Sequence, residues 1–193
     1  EAREKYIRLL WNLRVERDEN LEAKTLKDLG DLNRSLRIPV KALFYTRKAL
    51  SAYTKLSDEQ GIADCLNNMG LAYWVDEEYR KALDSFYSAL EGNKRLRNFR
   101  ELAKIESNLG IIKDIVGKTK DVAGHFLSAL DHAREAEDPR LQALISNNLG
   151  FFLIRQGDFE TSQKHLQGAL EISEHIGYTE EVINSLTNLG LCY

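Results

Sequence analysis

Asn147-Asn148-Leu149-Gly150 has near copies at Asn67-Asn68-Met69-Gly70, Ser107-Asn108-Leu109-Gly110 and Thr187-Asn188-Leu189-Gly190, and a looser one at Lys27-Asp28-Leu29-Gly30. The glycines stand at 30, 70, 110, 150 and 190, a constant interval of forty residues. A second series, Ala49-Leu50, Ala89-Leu90, Ala129-Leu130 and Ala169-Leu170, keeps the same phase, as does a third, Ala23, Ala63, Ala103 and Ala143. Three in-phase series along the whole chain establish an internal repeat, each unit stacking on its neighbours to bury a shared core.

Between these markers the apolar residues recur at helical spacing, and the composition agrees. Only two prolines interrupt 193 residues, and alanine, leucine, glutamate and lysine predominate, which favours helix. The pattern predicts helices over 1–17, 20–37, 40–56, 60–75, 79–97, 100–116, 120–136, 139–155, 159–176 and 179–193. In the first, Tyr6, Leu9, Leu10 and Leu13 share one stripe. Asp138-Pro139 is a strong helix start, Ser57 with Gln60 reads as a capping box, and Thr119 is the expected N-cap of the helix after Gly117. The repeats then fall at 20–58, 59–98, 99–138 and 139–178. They are flanked by a lone second helix (1–19) and a lone first helix (179–193). Both ends look cut, and stacked repeats need capping units, so a fragment of a larger protein is expected. Self-association through the open repeat ends is a further expectation.

At this point the chain resembles the tetratricopeptide repeat family in a forty-residue form. The clearest unit is Asn147-Asn148-Leu149-Gly150, Gly157-Asp158-Phe159 and Ala169-Leu170-Glu171-Ile172; the second repeat offers Leu71-Ala72-Tyr73-Trp74, Tyr79, Ala82, Phe86 and Ala89-Leu90. The Gly-Asp turn is replaced by Arg37-Ile38 and Glu77-Glu78 in two repeats, and Val122 and Ser162 stand where Ala42 and Ala82 do. The resemblance implies an all-α, right-handed superhelical solenoid of antiparallel helix pairs. Similar arrays occur in cell-polarity scaffolds of the Pins type, kinesin light chains, MalT-like activators and Rap-type proteins. A shared scaffold of this kind does not carry a shared cargo.

The resemblance also implies that first helices line a concave groove. The leucine before each glycine must point inward, so the adjacent stripe faces the groove. That stripe reads Asp64, Asn67, Leu71, Trp74 and Val75 in the second repeat, Lys104, Ser107, Ile111, Asp114 and Ile115 in the third, and Leu144, Asn147, Phe151, Ile154 and Arg155 in the fourth. The expected peptide-binding residues are Asn67, Leu71, Trp74, Ser107, Ile111, Asn147, Phe151 and Ile154. An amide both donates and accepts, so Asn67 and Asn147 suit a peptide backbone, and the apolar neighbours suit its side chains. Asn68, Asn108, Asn148 and Asn188 are expected to bond between helices.

Other chemistry finds little support. Gly117-Lys118-Thr119 lacks the first glycine and the strand of a phosphate-binding loop. His125 and His165, one repeat apart, have no third ligand in view. No triad or paired-carboxylate spacing stands clear of the repeat, so no catalysis, metal or cofactor is expected. No apolar run approaches a membrane span. Cys65 and Cys192 lie three repeats apart and read as buried free thiols of a reducing, cytoplasmic setting. Net charge is −3, but residues 1–55 carry 13 Lys/Arg against 8 Asp/Glu, and residues 121–193 carry 4 against 11. The acidic half argues against a nucleic-acid groove. The expected function is a protein-interaction module that binds a peptide of a partner. The alternative is a sensor or spacer arm of a larger signalling protein or transcription regulator.

Overall fold

The computed structural model describes residues 3–9 and 18–192, the side chain of Thr119 excepted. Residues 3–9 are helical (α1); the rest of the expected helix 1–17, with Leu10 and Leu13, lies outside the described residues. Two compact units follow, Glu1–Arg97 and Asn98–Tyr193. The first unit contains α2 (Glu19–Ser35), α3 (Pro39–Leu56), α4 (Glu59–Val75) and α5 (Tyr79–Leu96). The second contains α6 (Phe99–Ile115), a 3-10 turn (Thr119–Asp121), α7 (Val122–Glu135), α8 (Pro139–Gln156), α9 (Phe159–His175) and α10 (Thr179–Gly190). In each unit consecutive helices pack as hairpins, and hairpin stacks on hairpin. The fold is an all-α solenoid of antiparallel helix pairs.

Helix starts are written in side chains. Asp18, Asp58, Asn98 and Asp138 stand forty residues apart, and each accepts a backbone N–H three residues on, from Leu21 (2.9 Å), Gly61 (2.9 Å), Glu101 (3.3 Å) and Leu141 (3.1 Å). These are N-cap bonds that satisfy otherwise orphaned donors. The expected capping box at Ser57 is corrected: Asp58 is the cap, and Ser57 is the left-handed residue ending α3, at φ 54°. The start at Thr119 is also displaced. A 3-10 turn occupies Thr119–Asp121, and α7 begins at Val122.

Helix ends follow a twenty-residue rhythm. Arg37, Ser57, Glu77, Arg97, Gly117, Glu137, Gly157 and Gly177 all have positive φ. A non-glycine residue in this region carries a steric penalty of about 1 kcal/mol. Glu137, at φ 49°, donates its N–H to the Arg134 carbonyl at 2.9 Å, and a glycine would keep that bond. Glu137→Gly should therefore stabilise unit 2 by up to about 1 kcal/mol. A urea titration in which it melts earlier than the parent would contradict this.

The forty-residue glycines mark where the second helix of each hairpin touches the first. A Cβ on Gly30 would meet Thr46, on Gly70 Phe86, on Gly110 Phe126 and on Gly150 Leu166. The alanine series faces the same seams: Ala23, Ala63, Ala103, Ala143, Ala49, Ala89, Ala129 and Ala169 are all buried. In unit 1, Ala23, Leu26, Leu29, Ala49, Tyr53 and Cys65 form one core cluster. In unit 2, Val122, Phe126, Leu130, Leu141, Ile145, Leu149 and Phe152 form another.

Candidate functional site

In unit 1 the first helices α2 and α4 are joined by polar bonds. Asn68 Nδ2 donates to Asp31 Oδ2 at 3.0 Å, as expected of the second asparagine of each pair. Lys27 Nζ lies 3.9 Å from Asp64 and Arg34 lies 3.7 Å from Asp31. Burial raises the pKa of the Asp31 carboxyl despite the opposing pull of Lys27, Arg34 and Asn68. Beyond this row, Leu71 and Trp74 are half-buried and line an open depression with Val75, Arg34, Arg37 and Tyr79. Asn67 is half-buried too, and its buried Oδ1 has no hydrogen-bond partner among the described residues. An aromatic face and two guanidinium groups thus share one surface.

Unit 2 distributes the expected residues differently. Ser107 and Asn147 are buried, at 5% and 6% exposure, while Phe151 is 42% exposed. Ile111 packs against the core cluster, and Ile154 is half-buried. Asn147 is not a free rung, because its Oδ1 accepts from Asn188 Nδ2 of α10 at 3.0 Å. Asn147, Asn148, Phe151, Asn184, Thr187 and Asn188 line a second depression. Arg155 of α8 bonds Asp114 of α6 at 2.5 Å, bracing the same first helices. Absent from the expected peptide-binding set are Asn148 of α8 and Asn184, Thr187 and Asn188 of α10, although Asn188 bonds between helices as expected. Their signal was the repeat phase itself, since Thr187 and Asn188 sit forty residues after Asn147 and Asn148.

The remaining candidates resolve into packing. His125 Nδ1 lies 2.5 Å from Glu106 Oε2, and both side chains are largely buried, so this histidine is no surface residue. His132 stacks on Phe99, with centroids 6.1 Å apart. Burial and the nearby charge of Arg134 lower the pKa of His165. Cys65 is buried and free, its thiol pushed up to about 12 by burial, which leaves it protonated and unreactive. Cys192 is also free but only half-buried, which corrects the expectation of two buried thiols. Among the described residues no group of three His, Cys, Asp or Glu is placed to hold a metal, and no helix is long and apolar enough to cross a membrane.

Comparison with known proteins bears on this arrangement. Two tetratricopeptide repeat family models match, at residues 62–99 and 141–193. No curated protein sequence matches the chain. Among solved structures, the chain is similar to BtubC (BKLC) from P. vanneervenii at 18% identity and TM-score 0.76, over 98% of this chain and 82% of that one. It is similar to a Rap protein complexed with competence and sporulation factor at 18% identity and TM-score 0.84, over 99% of this chain and 56% of that one. A signal-transduction ATPase of the STAND type with a tetratricopeptide repeat sensor, from Pyrococcus horikoshii, aligns at 18% identity and TM-score 0.86, over 99% of this chain and 30% of that one. The forty-residue hairpin, the glycine seam between its helices and the two family matches agree: the chain carries tetratricopeptide repeats, matched at residues 62–99 and 141–193.

Proposed function

We propose that this chain is a protein-interaction module that binds a peptide segment of a partner on the first helices of its repeats. The observation that carries the reading is Phe151, 42% exposed beside a row of four asparagines, Asn147, Asn148, Asn184 and Asn188. A large apolar side chain left in water beside amide groups suits a partner that supplies one apolar side chain and a stretch of main chain. In unit 1, Trp74 and Leu71 supply a second such surface, edged by the charged Arg34, Arg37 and Glu77. In unit 2, the buried Ser107 and Asn147 and the partly buried Ile111 act as support, and Phe151 and Ile154 meet a partner; in unit 1 that part falls to Asn67, Leu71 and Trp74. The Rap protein similar in fold is complexed with a factor of its own, which is consistent with this use of the scaffold.

The test uses exposed residues, because replacing the buried Asn147 would disturb packing. Trp74→Ala combined with Phe151→Ala should leave the helical circular-dichroism signal and the melting transition in place. It should weaken capture of the native partner at least ~10-fold, the scale of losing an aromatic anchor. An identical set of captured proteins from parent and variant would overturn the reading and turn attention to a sensor or spacer arm of a larger protein.

A further inference from the structure

Unit 2 contains two equivalent layers, forty residues apart, whose chemistry differs. In the first, α7 and α8 meet through Val122, Ala133, Leu141 and Ile145, all buried. In the second, the equivalent residues of α9 and α10 are Ser162, Ser173, Glu181 and Ser185, all buried as well. Ser162 Oγ donates to the Gly150 carbonyl at 2.8 Å and Ser173 Oγ to the Ala169 carbonyl at 2.7 Å, so these two hydroxyls are satisfied. Glu181 is 1% exposed, where Leu141 stands one repeat earlier. Its Oε2 accepts a long bond, 3.4 Å, from Asn184 Nδ2, and its Oε1 has no partner among the described residues. A carboxyl at a core position costs stability unless it is well bonded, and an apolar residue would pack there without that cost.

Asn184 donates to this carboxyl, Asn147 of α8 stands close enough to it to pull its pKa down, and both line the Phe151 depression. Building on the peptide-binding reading, we propose that Glu181 is the positioning residue of this amide row, fixing which way Asn147 points and, through Asn147, which way Asn188 points. The chemistry runs in one direction. An ionised carboxyl only accepts hydrogen bonds, so Asn147 must turn its NH2 toward Glu181. Its Oδ1 is then left to accept from Asn188 Nδ2, at 3.0 Å. Asn188 in turn has one amino hydrogen committed inward, and its carbonyl oxygen is free to meet N–H donors of a peptide main chain. An amide row without such an anchor can flip at each member.

The groups around Glu181 can be named helix by helix. Burial raises its pKa; the bonds from Asn184 and Asn147 oppose this, and Glu180 of the same helix adds to it. α8 contributes the Asn147 amide. On α9, which packs against α10, the titratable His165 has a pKa lowered by burial and Arg134. When Glu181 takes up a proton it can donate, and the one-way constraint on Asn147 is released.

The test is an NMR titration of the 15N-labelled chain, read at the side-chain NH2 resonances of Asn147, Asn184 and Asn188. These should shift together on acidification, with one common midpoint above the ordinary glutamate range of about 4.3, and the shift should vanish in Glu181→Gln. Amide exchange protection of α10, retained in Glu181→Gln, shows that the helix is still docked. Resonances that do not move in the parent chain, or that move equally in Glu181→Gln, overturn the proposal. The titration needs no partner. An intact titration beside a failed Trp74→Ala/Phe151→Ala capture test would therefore sustain the positioning role and reject only the peptide reading.

Discussion

Gly70→Val should destabilise the α4–α5 hairpin by about 3 kcal/mol, the upper part of the range for forcing extra carbon into a packed core. A Cβ at this position would lie 2.7 Å from Cδ1 and Cε1 of Phe86 and 3.0 Å from its Cγ. Phe86 is fully buried and has nowhere to swing, so helix α5 would have to move away from α4. Gly70→Ala is the milder form. Its gain in helix propensity, roughly 1 kcal/mol, opposes the clash, and the net should still be a loss. Gly168→Ala is the counter-experiment. It also lies within a helix, α9, but nothing stands within 4 Å of its missing Cβ, so the propensity gain of roughly 1 kcal/mol should appear in full. Urea unfolding of the three variants decides the matter, and equal midpoints for Gly70→Val and the parent chain would refute the seam.

That contrast explains why the fold was so legible. Gly30, Gly70, Gly110 and Gly150 mark close approaches of the second helix and the two alanine series mark buried positions, and such constraints recur wherever the hairpin recurs. The caps were less legible because neighbouring polar residues compete. Ser57 and Asp58 both look like N-caps, and only the left-handed φ of Ser57 shows that it ends one helix while Asp58 begins the next. The twenty-residue rhythm of left-handed turns was visible only where glycine marks it, at Gly117, Gly157 and Gly177. The other five of its eight positions carry arginine, serine or glutamate, and there composition gives no hint of the backbone conformation.

The site was legible as a stripe but not as a surface. Helical spacing placed Asn67, Ser107 and Asn147 on one azimuth of successive first helices. The structure instead leaves Asn67 half-buried and buries the other two. The difference comes from neighbours that spacing cannot see: Asn188 reaches Asn147 from the next first helix, and the third repeat is braced by the Asp114–Arg155 pair. Phe151 stays exposed because it lies one turn further along α8, past the amide row. Glu181 was invisible for another reason. At a helix start an acidic residue is usually a solvated partner of the helix dipole. Here it sits at a position where the preceding repeat buries Leu141.

His125→Ala should cost about 3 kcal/mol, which is large for one side chain. The ring lies 2.5 Å from Glu106 Oε2, and the two side chains are 14% and 10% exposed. Removing one member of a buried pair leaves the other desolvated, a loss of roughly 3–5 kcal/mol where burial is complete, and the low end applies to this slightly open pair. Glu106→Gln with His125 intact should cost less, because the amide can still bond the ring. The pair as a whole is dispensable to the fold: at the position of Glu106 the other repeats carry Leu26, Leu66 and Ser146. The double replacement Glu106→Leu/His125→Leu should therefore recover most of the stability lost by either single truncation, since apolar residues fill a buried pair's place at little cost. A complete double-mutant cycle followed by thermal unfolding measures the coupling directly. Additive single and double losses would mean that the two side chains do not depend on each other, and that the 2.5 Å contact contributes nothing beyond packing.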